Sequence, residues 1–286
     1  MAHSDPQVRQ MYRPQGGSNV RNYKDQPSGP EEGRMMAKIE KIAFITGANR
    51  GLGYETAREL GLAGVHVLLG SRDPEAGEQA VSKLAELNIQ AEAIKFDLLR
   101  EEDHIALRDY LEKNYARLDI LVNNAAFTLE GNASELGPHN TTLTVSIDAL
   151  RKTYDVNFFG VVQLTQILLP LLRRAPAARI VNVSSILGSL TLHTDPNSPF
   201  VSEYKSFAYG SSKTALNAFT IYLAHALRDT AIKVNSAHPG WVKTELGGSA
   251  ATLEVSEGGK TSASLALLEE NGPTGGFFHF KDAVPW

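Results

Sequence analysis

From Lys41 onward, short apolar runs alternate with longer amphipathic ones. The runs KIAFI at 41–45, VHVLLG at 65–70, AEAIKF at 91–96, LDILV at 118–122, RIVNVS at 179–184 and IKVNSA at 232–237 read as strands, and FFHF at 277–280 adds a last short one. Between them, helical patterns fill about 52–63, 75–87, 102–115, 148–173, 208–228 and 256–269. Strands alternating with helices at this spacing predict βαβ units. The expected fold is α/β: a single-domain, Rossmann-type, doubly wound parallel β-sheet with helices on both faces. Right-handed crossovers then gather the loops after the strand C-termini along one sheet edge, where α/β proteins bind ligands.

Residues 1–38 lack this pattern. They are rich in Pro, Gly, Asn, Gln and charge, and read as a flexible N-terminal arm ahead of a catalytic and cofactor-binding domain over 39–286. A hydrophobic fraction of 42% and a mean hydropathy of -0.20 fit a globular protein. The formal charge of -4 offers no broad cationic footprint for nucleic acid or anionic lipid. The absence of cysteine removes disulfides, thiolate catalysis and cysteine-ligated zinc. With no recognisable metal cage, secretory leader or uninterrupted apolar run of about 20 residues, the expectation is a cytoplasmic protein with no metal, membrane or nucleic-acid partner.

TGANRGLG, Thr46–Gly53, follows the first strand and opens the first helix. Gly47, Gly51 and Gly53 suit a tight turn and the close approach of a pyrophosphate, to which the helix start offers N–H groups and positive potential. At the end of the second strand, Ser71 and Arg72 precede Asp73. Arg50 and Arg72 can clamp a 2′-phosphate, with Ser71 adding a hydroxyl, so NADP(H) is the expected cofactor. Asp73 keeps NAD(H) open, since an acid at this strand end can bind ribose hydroxyls. Asp97 either accepts from an adenine amino group or caps the next helix. Asn124, Ala125 and Ala126 end the fourth strand with small residues beside which a cofactor can lie.

Tyr209 and Lys213 are four apart in AYGSSKTALNAF, one turn on one helix face. A free phenol titrates near 10. A neighbouring ammonium and an oxidised nicotinamide both favour phenolate and lower that value towards a useful range. Tyr209 would give its proton to a carbonyl oxygen in reduction and, as phenolate, take one from an alcohol in oxidation. Ser185 would hydrogen-bond the same oxygen. Lys213 would also hold the cofactor ribose. Asn157 in DVNFFG would keep a local helix distortion and a water joining Lys213 to solvent. Ser184 and Ser185 lie outside any Gly-x-Ser-x-Gly elbow, which speaks against a serine hydrolase.

Taken in order, Thr46-Gly-x-x-x-Gly51-x-Gly53, Asp97, Asn123-Asn-Ala-Ala126, Asn157, Ser185, Tyr209-x-x-x-Lys213 and Pro239-Gly240 resemble the classical short-chain dehydrogenase/reductase family over about residues 40–282. The resemblance implies a tetrad of Asn157, Ser185, Tyr209 and Lys213. It extends the cofactor set to Asn49, Leu52, Leu98, Pro239, Gly240, Val242 and Thr244, beside Thr46 and the residues already named. Asn49-Arg50 and Arg72 look like the NADP-preferring carbonyl-reductase members. The expected reaction is NADPH-dependent reduction of a ketone or aldehyde, a small-molecule carbonyl/alcohol pair. An NAD(P)-dependent alcohol, polyol or sugar dehydrogenase is the alternative, and a nicotinamide-binding regulatory protein a remoter one. The resemblance also implies a homodimer or homotetramer through the helices at 148–173 and 208–228. However, 23 residues separate Ser185 from Tyr209, more than the compact family spacing, and such an insertion can obstruct assembly, which leaves a monomer open. A substrate pocket is expected between the loop after Ala126, the 186–208 insertion and the segment after Thr244, with Phe127, Leu187, Leu192, Phe200, Tyr204, Trp241 and Leu246 as candidate lining.

Overall fold

Every position of the first strand, β1 (Ile42–Thr46), is buried, as a strand covered on both faces requires. The computed structural model describes residues 41–130, 141–198 and 206–286; the expected arm over 1–38 lies outside them. Seven further strands follow: β2 (His66–Ser71), β3 (Ala91–Lys95), β4 (Ile120–Asn123), β5 (Arg179–Val183), β6 (Lys233–Ala237), β7 (Phe277–His279) and β8 (Asp282–Ala283). They form one sheet in the order β3-β2-β1-β4-β5-β6-β7-β8. Neighbours are parallel from β3 to β7, and only β8 pairs antiparallel, on β7. The direction of winding reverses between β1 and β4, so a crevice opens beyond their carboxyl ends.

The side-chain alternation of each strand divides the core. Ile42 and Phe44 pack with Leu107, Leu111, Leu164, Leu168 and Leu216. Those leucines come from α3 (Glu101–Tyr115), α5 (Gly160–Leu172) and α7 (Phe207–Ala226). On the opposite face, Ala43 and Ile45 pack with Ala57, Leu60, Ala80, Leu84 and Ala266, from α1 (Gly51–Leu62), α2 (Pro74–Ala85) and α8 (Val255–Ala266). Each buried leucine stabilises the fold by about 1.5–3 kcal/mol. Small residues bring α8 against α1: a Cβ on Gly259 would lie 2.8 Å from the Glu55 backbone.

The long helix expected over 148–173 is interrupted. It runs as α4 (Ile147–Tyr154), a π-helical turn over Asp155–Phe159, then α5, so the distortion expected at Asn157 is present. By length and composition the stretch Ile147–Leu172 is apolar enough to cross a membrane; here Val161, Leu164, Leu168, Leu171 and Leu172 are buried in the core on the sheet. The expected last strand is present as β7, whereas the short helix α6 (Leu190–Thr194) and the two-residue β8 are too brief to leave a periodic signal in the sequence.

Candidate active site

The start of α1 is built for close approach. Gly47 and Gly51 hold φ of +63° and +57°, a region that favours glycine. A Cβ on Gly53 would meet the Gly47 carbonyl at 2.4 Å and the Asn124 side chain at 2.6 Å. Thr46 and Asn124 lock this turn to the end of β4. The Thr46 hydroxyl accepts from the Asn124 and Ala125 amides, both at 2.9 Å, and Asn124 Nδ2 donates to the Thr46 and Gly47 carbonyls. Ala125 lies against Gly47, and Ala126 is exposed at the sheet edge. Arg50 at the N-cap contributes no side-chain cap, and the first turn of α1 holds no acid. The opening N–H groups of a helix have no intrahelical partner and carry positive potential, so this start, with Asn49 beside it, fits an anionic diphosphate.

Asp73 is committed elsewhere. Its Oδ1 caps α2, accepting from the Glu75 and Ala76 amides at 3.0 and 3.2 Å. The buried Ser71 hydroxyl donates to the Asp73 carbonyl at 2.6 Å. Arg72 stands exposed, and Arg50 pairs with Glu245 at 2.6 Å, both side chains more than 70% accessible. Asp97 accepts from the Leu99 amide at 3.0 Å, and the N-cap residue of α3 is Arg100, so Asp97 does not cap that helix. Leu98 is buried, its carbonyl 2.7 Å from where a Cβ on Gly160 would sit.

Beyond β6, Pro239 is buried and Gly240 takes a φ of +91°. Val242 is buried and bridges to Leu253, and Thr244 Oγ1 accepts from the Gly247 amide at 3.1 Å. This loop reaches the glycine-rich turn: a Cβ on Gly258 would strike both Leu52 and Val242, and the Thr244 methyl lies 3.8 Å from where a Cβ on Gly51 would sit.

On the same sheet edge, the structure brings Asn157, Ser185, Tyr209 and Lys213 together. Lys213 is buried, its Nζ donating to the Val183 carbonyl at 2.7 Å and lying 5.5 Å from the centre of the Tyr209 ring. Burial draws the Lys213 ammonium down to about 7. It pushes the Tyr209 phenol up to about 12, a hydrogen bond with Ser185 acting the other way. The sequence-based expectation of a lowered phenol joins the ammonium to an oxidised nicotinamide; for the chain alone the phenol is raised. Desolvation penalises phenolate more than its surroundings favour it. Asn157 Oδ1 accepts from the Phe127 amide at 2.8 Å; its Nδ2 donates to the Phe127 carbonyl at 2.9 Å and to Ser212 Oγ at 3.0 Å. The sequence gives no local sign of Ser212 as a member of this network. Nor does it flag Glu130, 1% exposed, whose carboxylate accepts from the Ala208 and Tyr209 amides at 3.1 and 2.9 Å.

An apolar cavity of about 580 Å³ lies beside the turn that follows Ser185. Ile186, Leu192, Trp241, Leu253, Val284 and Pro285 are among its walls, with His238 and His279. Of the expected lining residues, Leu192 and Trp241 take part and Phe127, Leu187 and Leu246 do not; Phe200 and Tyr204 fall outside the described residues. The wall formed by 282–285 was not expected. It is held by the Ser189 hydroxyl on the Pro285 carbonyl at 2.7 Å and by Trp286 stacked on Phe277. Burial, then His279, depresses His238 to about 3, leaving its Nδ1 to accept from the Ile186 amide at 3.3 Å.

With this geometry in place, known proteins bear comparison. The family model described as short chain dehydrogenase matches residues 41–254. Over 289 residues the chain is 32% identical to carbonyl reductase (NADPH) 1 of Mus musculus, covering 88% of this chain and 100% of that one. It is 30% identical to salutaridine reductase of Papaver bracteatum, covering 83% and 94%. Among solved structures, an NADPH-bound carbonyl reductase from chicken fatty liver matches with a TM-score of 0.73 at 25% identity, over 87% of this chain and 100% of that one. Carbonyl reductase Sniffer of D. melanogaster matches at 0.71 and 30%, with the same coverage.

Proposed function

This chain belongs to the short-chain dehydrogenase/reductase family and is an oxidoreductase, and from that premise we propose that it reduces a ketone or aldehyde to the alcohol with NADPH, Tyr209 giving the proton. The observation that carries this reading is the pair itself: the buried Lys213 Nζ beside the partly buried Tyr209 ring, with Ser185 hydrogen-bonded to the phenol.

When bound, the nicotinamide supplies the hydride. Tyr209 Oη transfers its proton to the substrate oxygen as negative charge develops there, and Ser185 Oγ donates a second hydrogen bond to that oxygen. With its phenol raised to about 12 by burial, Tyr209 meets the substrate protonated, as donation requires. Lys213 holds the ribose hydroxyls and Asn157 keeps the π-helical turn through which Lys213 reaches solvent. Asn49, Gly51, Leu52 and Gly53 bind the diphosphate at the start of α1, with Thr46, Gly47, Asn124, Ala125 and Ala126 shaping the crevice. Asp97 and Leu98 border the adenine; Pro239, Gly240, Val242 and Thr244 close over the nicotinamide end. For the 2′-phosphate, Asp73 is occupied in capping α2 while Arg72 is exposed and Arg50 reaches no further than a surface carboxylate; this arrangement supports NADPH over NADH. The apolar cavity walled in part by Ile186, the residue after Ser185, supports a hydrophobic carbonyl substrate.

The test is oxidation of NADPH and, separately, NADH across aromatic ketones, aliphatic aldehydes, quinones and keto-sugars, with Tyr209→Phe alongside. The reading expects NADPH-selective turnover that falls about 10³-fold in the variant. Undiminished turnover by Tyr209→Phe would overturn the mechanism; a preference for NADH would overturn the arginine argument.

A further inference from the structure

Helix α7 begins without help from its own N-cap residue. Ser206 occupies that position and makes no side-chain cap; its hydroxyl instead donates, in a short hydrogen bond, to Glu130. The two amides an N-cap side chain ordinarily serves are those of the second and third helical residues, here Ala208 and Tyr209. Both donate to the same carboxylate, at 3.1 and 2.9 Å. Glu130 therefore replaces the missing cap from 76 to 79 residues earlier in the chain. It is 1% exposed, and an acceptor-only group suits three converging donors at the positive end of a helix.

The same tyrosine is held from its other side. Its carbonyl accepts from Ser212 Oγ at 2.7 Å, and Ser212 Oγ accepts from Asn157 Nδ2 at 3.0 Å. Asn157 in turn clamps both backbone groups of Phe127, three residues before Glu130. A closed circuit thus runs from Asn157 through Phe127 and Glu130 to the Tyr209 amide, and from the Tyr209 carbonyl through Ser212 back to Asn157. The circuit ties the start of α7 to the loop that follows β4. We propose that Glu130 is a positioning residue for proton transfer, fixing the first turn of α7 so that the Tyr209 phenol meets the substrate oxygen. This rests on the reading of Tyr209 as proton donor.

Glu130→Gln leaves the size unchanged but turns one acceptor into a donor facing donors. With NADPH and a turned-over ketone, kcat is expected to fall about 30-fold, within the cost of a small misplacement of a reacting group. The Kd for NADPH should stay within about twofold, because α1 and β4 are untouched. The solvent deuterium isotope effect on kcat should rise as proton transfer becomes limiting. Ser206→Ala, which removes one of the three donors described and spares the carboxylate, should lower kcat about threefold, in line with the loss of a single hydrogen bond; it serves alone if Glu130→Gln does not fold. Wild-type kcat in either folded variant would overturn the proposal, as would a fall in kcat matched by an equal loss of NADPH affinity. Tyr209→Phe, measured in parallel, separates the causes. If it is inactive while Glu130→Gln behaves as wild type, only the role of Glu130 fails; if it stays active, the proton-donor reading fails and takes this one with it.

Discussion

The two halves of the site are held in different ways. At the nucleotide end, the turn is shaped chiefly by glycine, with Gly47 and Gly51 in positive φ and Gly53 with no room for a Cβ, and one long-range side-chain pair, Thr46 with Asn124, ties adjacent strand ends. At the chemical end, Tyr209 and Lys213 are held by side chains from distant parts of the chain, Asn157 through Ser212 and Glu130 at the helix start, while the cavity wall comes from the last residues. A rigid backbone cradle can serve any substrate of the same cofactor. A chemical end assembled from long-range contacts can change its pocket without disturbing that cradle.

Substitutions that separate the halves would sharpen or break this contrast. The largest effect is expected at Lys213→Ala, which should lower kcat/KM for the carbonyl substrate about 10³-fold in steady-state assays. In the other half, Gly53→Ala forces a Cβ to 2.4 Å from the Gly47 carbonyl. Urea unfolding should show a loss of about 3 kcal/mol, and a loss below about 0.5 kcal/mol would mean that the turn yields easily. Removing one charge from the cradle costs less. Arg72→Ala should weaken NADPH binding by about 10–100-fold, as expected for a charge-assisted hydrogen bond, and leave NADH binding nearly unchanged in a titration of cofactor fluorescence.

A further effect concerns acid stability rather than binding or turnover. His238 titrates near 3 in the folded chain against a reference of 6.5. Between those values the unfolded state binds the extra proton, so stability is complete above pH 6.5 and is lost as pH falls towards 3. Glu92 is drawn down to about 2, chiefly by its hydrogen bond with His66, and adds its own loss only below its reference of 4.5. Between pH 6.5 and 4.5 the decline in melting temperature should therefore be shallower in His238→Gln than in the wild type. Parallel curves would remove His238 as a source.

What the sequence discloses follows the same division. Thr46–Gly53 is contiguous, and Tyr209 and Lys213 sit one helical turn apart, so short spacing carries their geometry. The parallel sheet is equally legible, because each strand is a compact apolar run set between helices. Glu130 bonds across more than 75 residues, and in the sequence it is only an acid after an apolar stretch. The wall at 282–285 depends on how β8 turns back on β7, and a two-residue strand has no period to detect. Asp73 shows how one residue type carries two readings: an acid after β2 keeps a ribose contact open, and in the structure Pro74 starts α2 directly behind it and one oxygen of the carboxylate caps that helix.

The account stands or falls on hydride and proton reaching the two ends of one carbonyl. Wild type and Tyr209→Phe should each be supplied with NADPH carrying deuterium at C4 and with an aromatic ketone, and the alcohol analysed by mass spectrometry. The account predicts one deuterium at the carbinol carbon from the wild type, transferred from one face of the nicotinamide, and almost no labelled alcohol from the variant. Labelled alcohol formed equally well by Tyr209→Phe, or NADPH consumed by the wild type with no label in the alcohol, would contradict it.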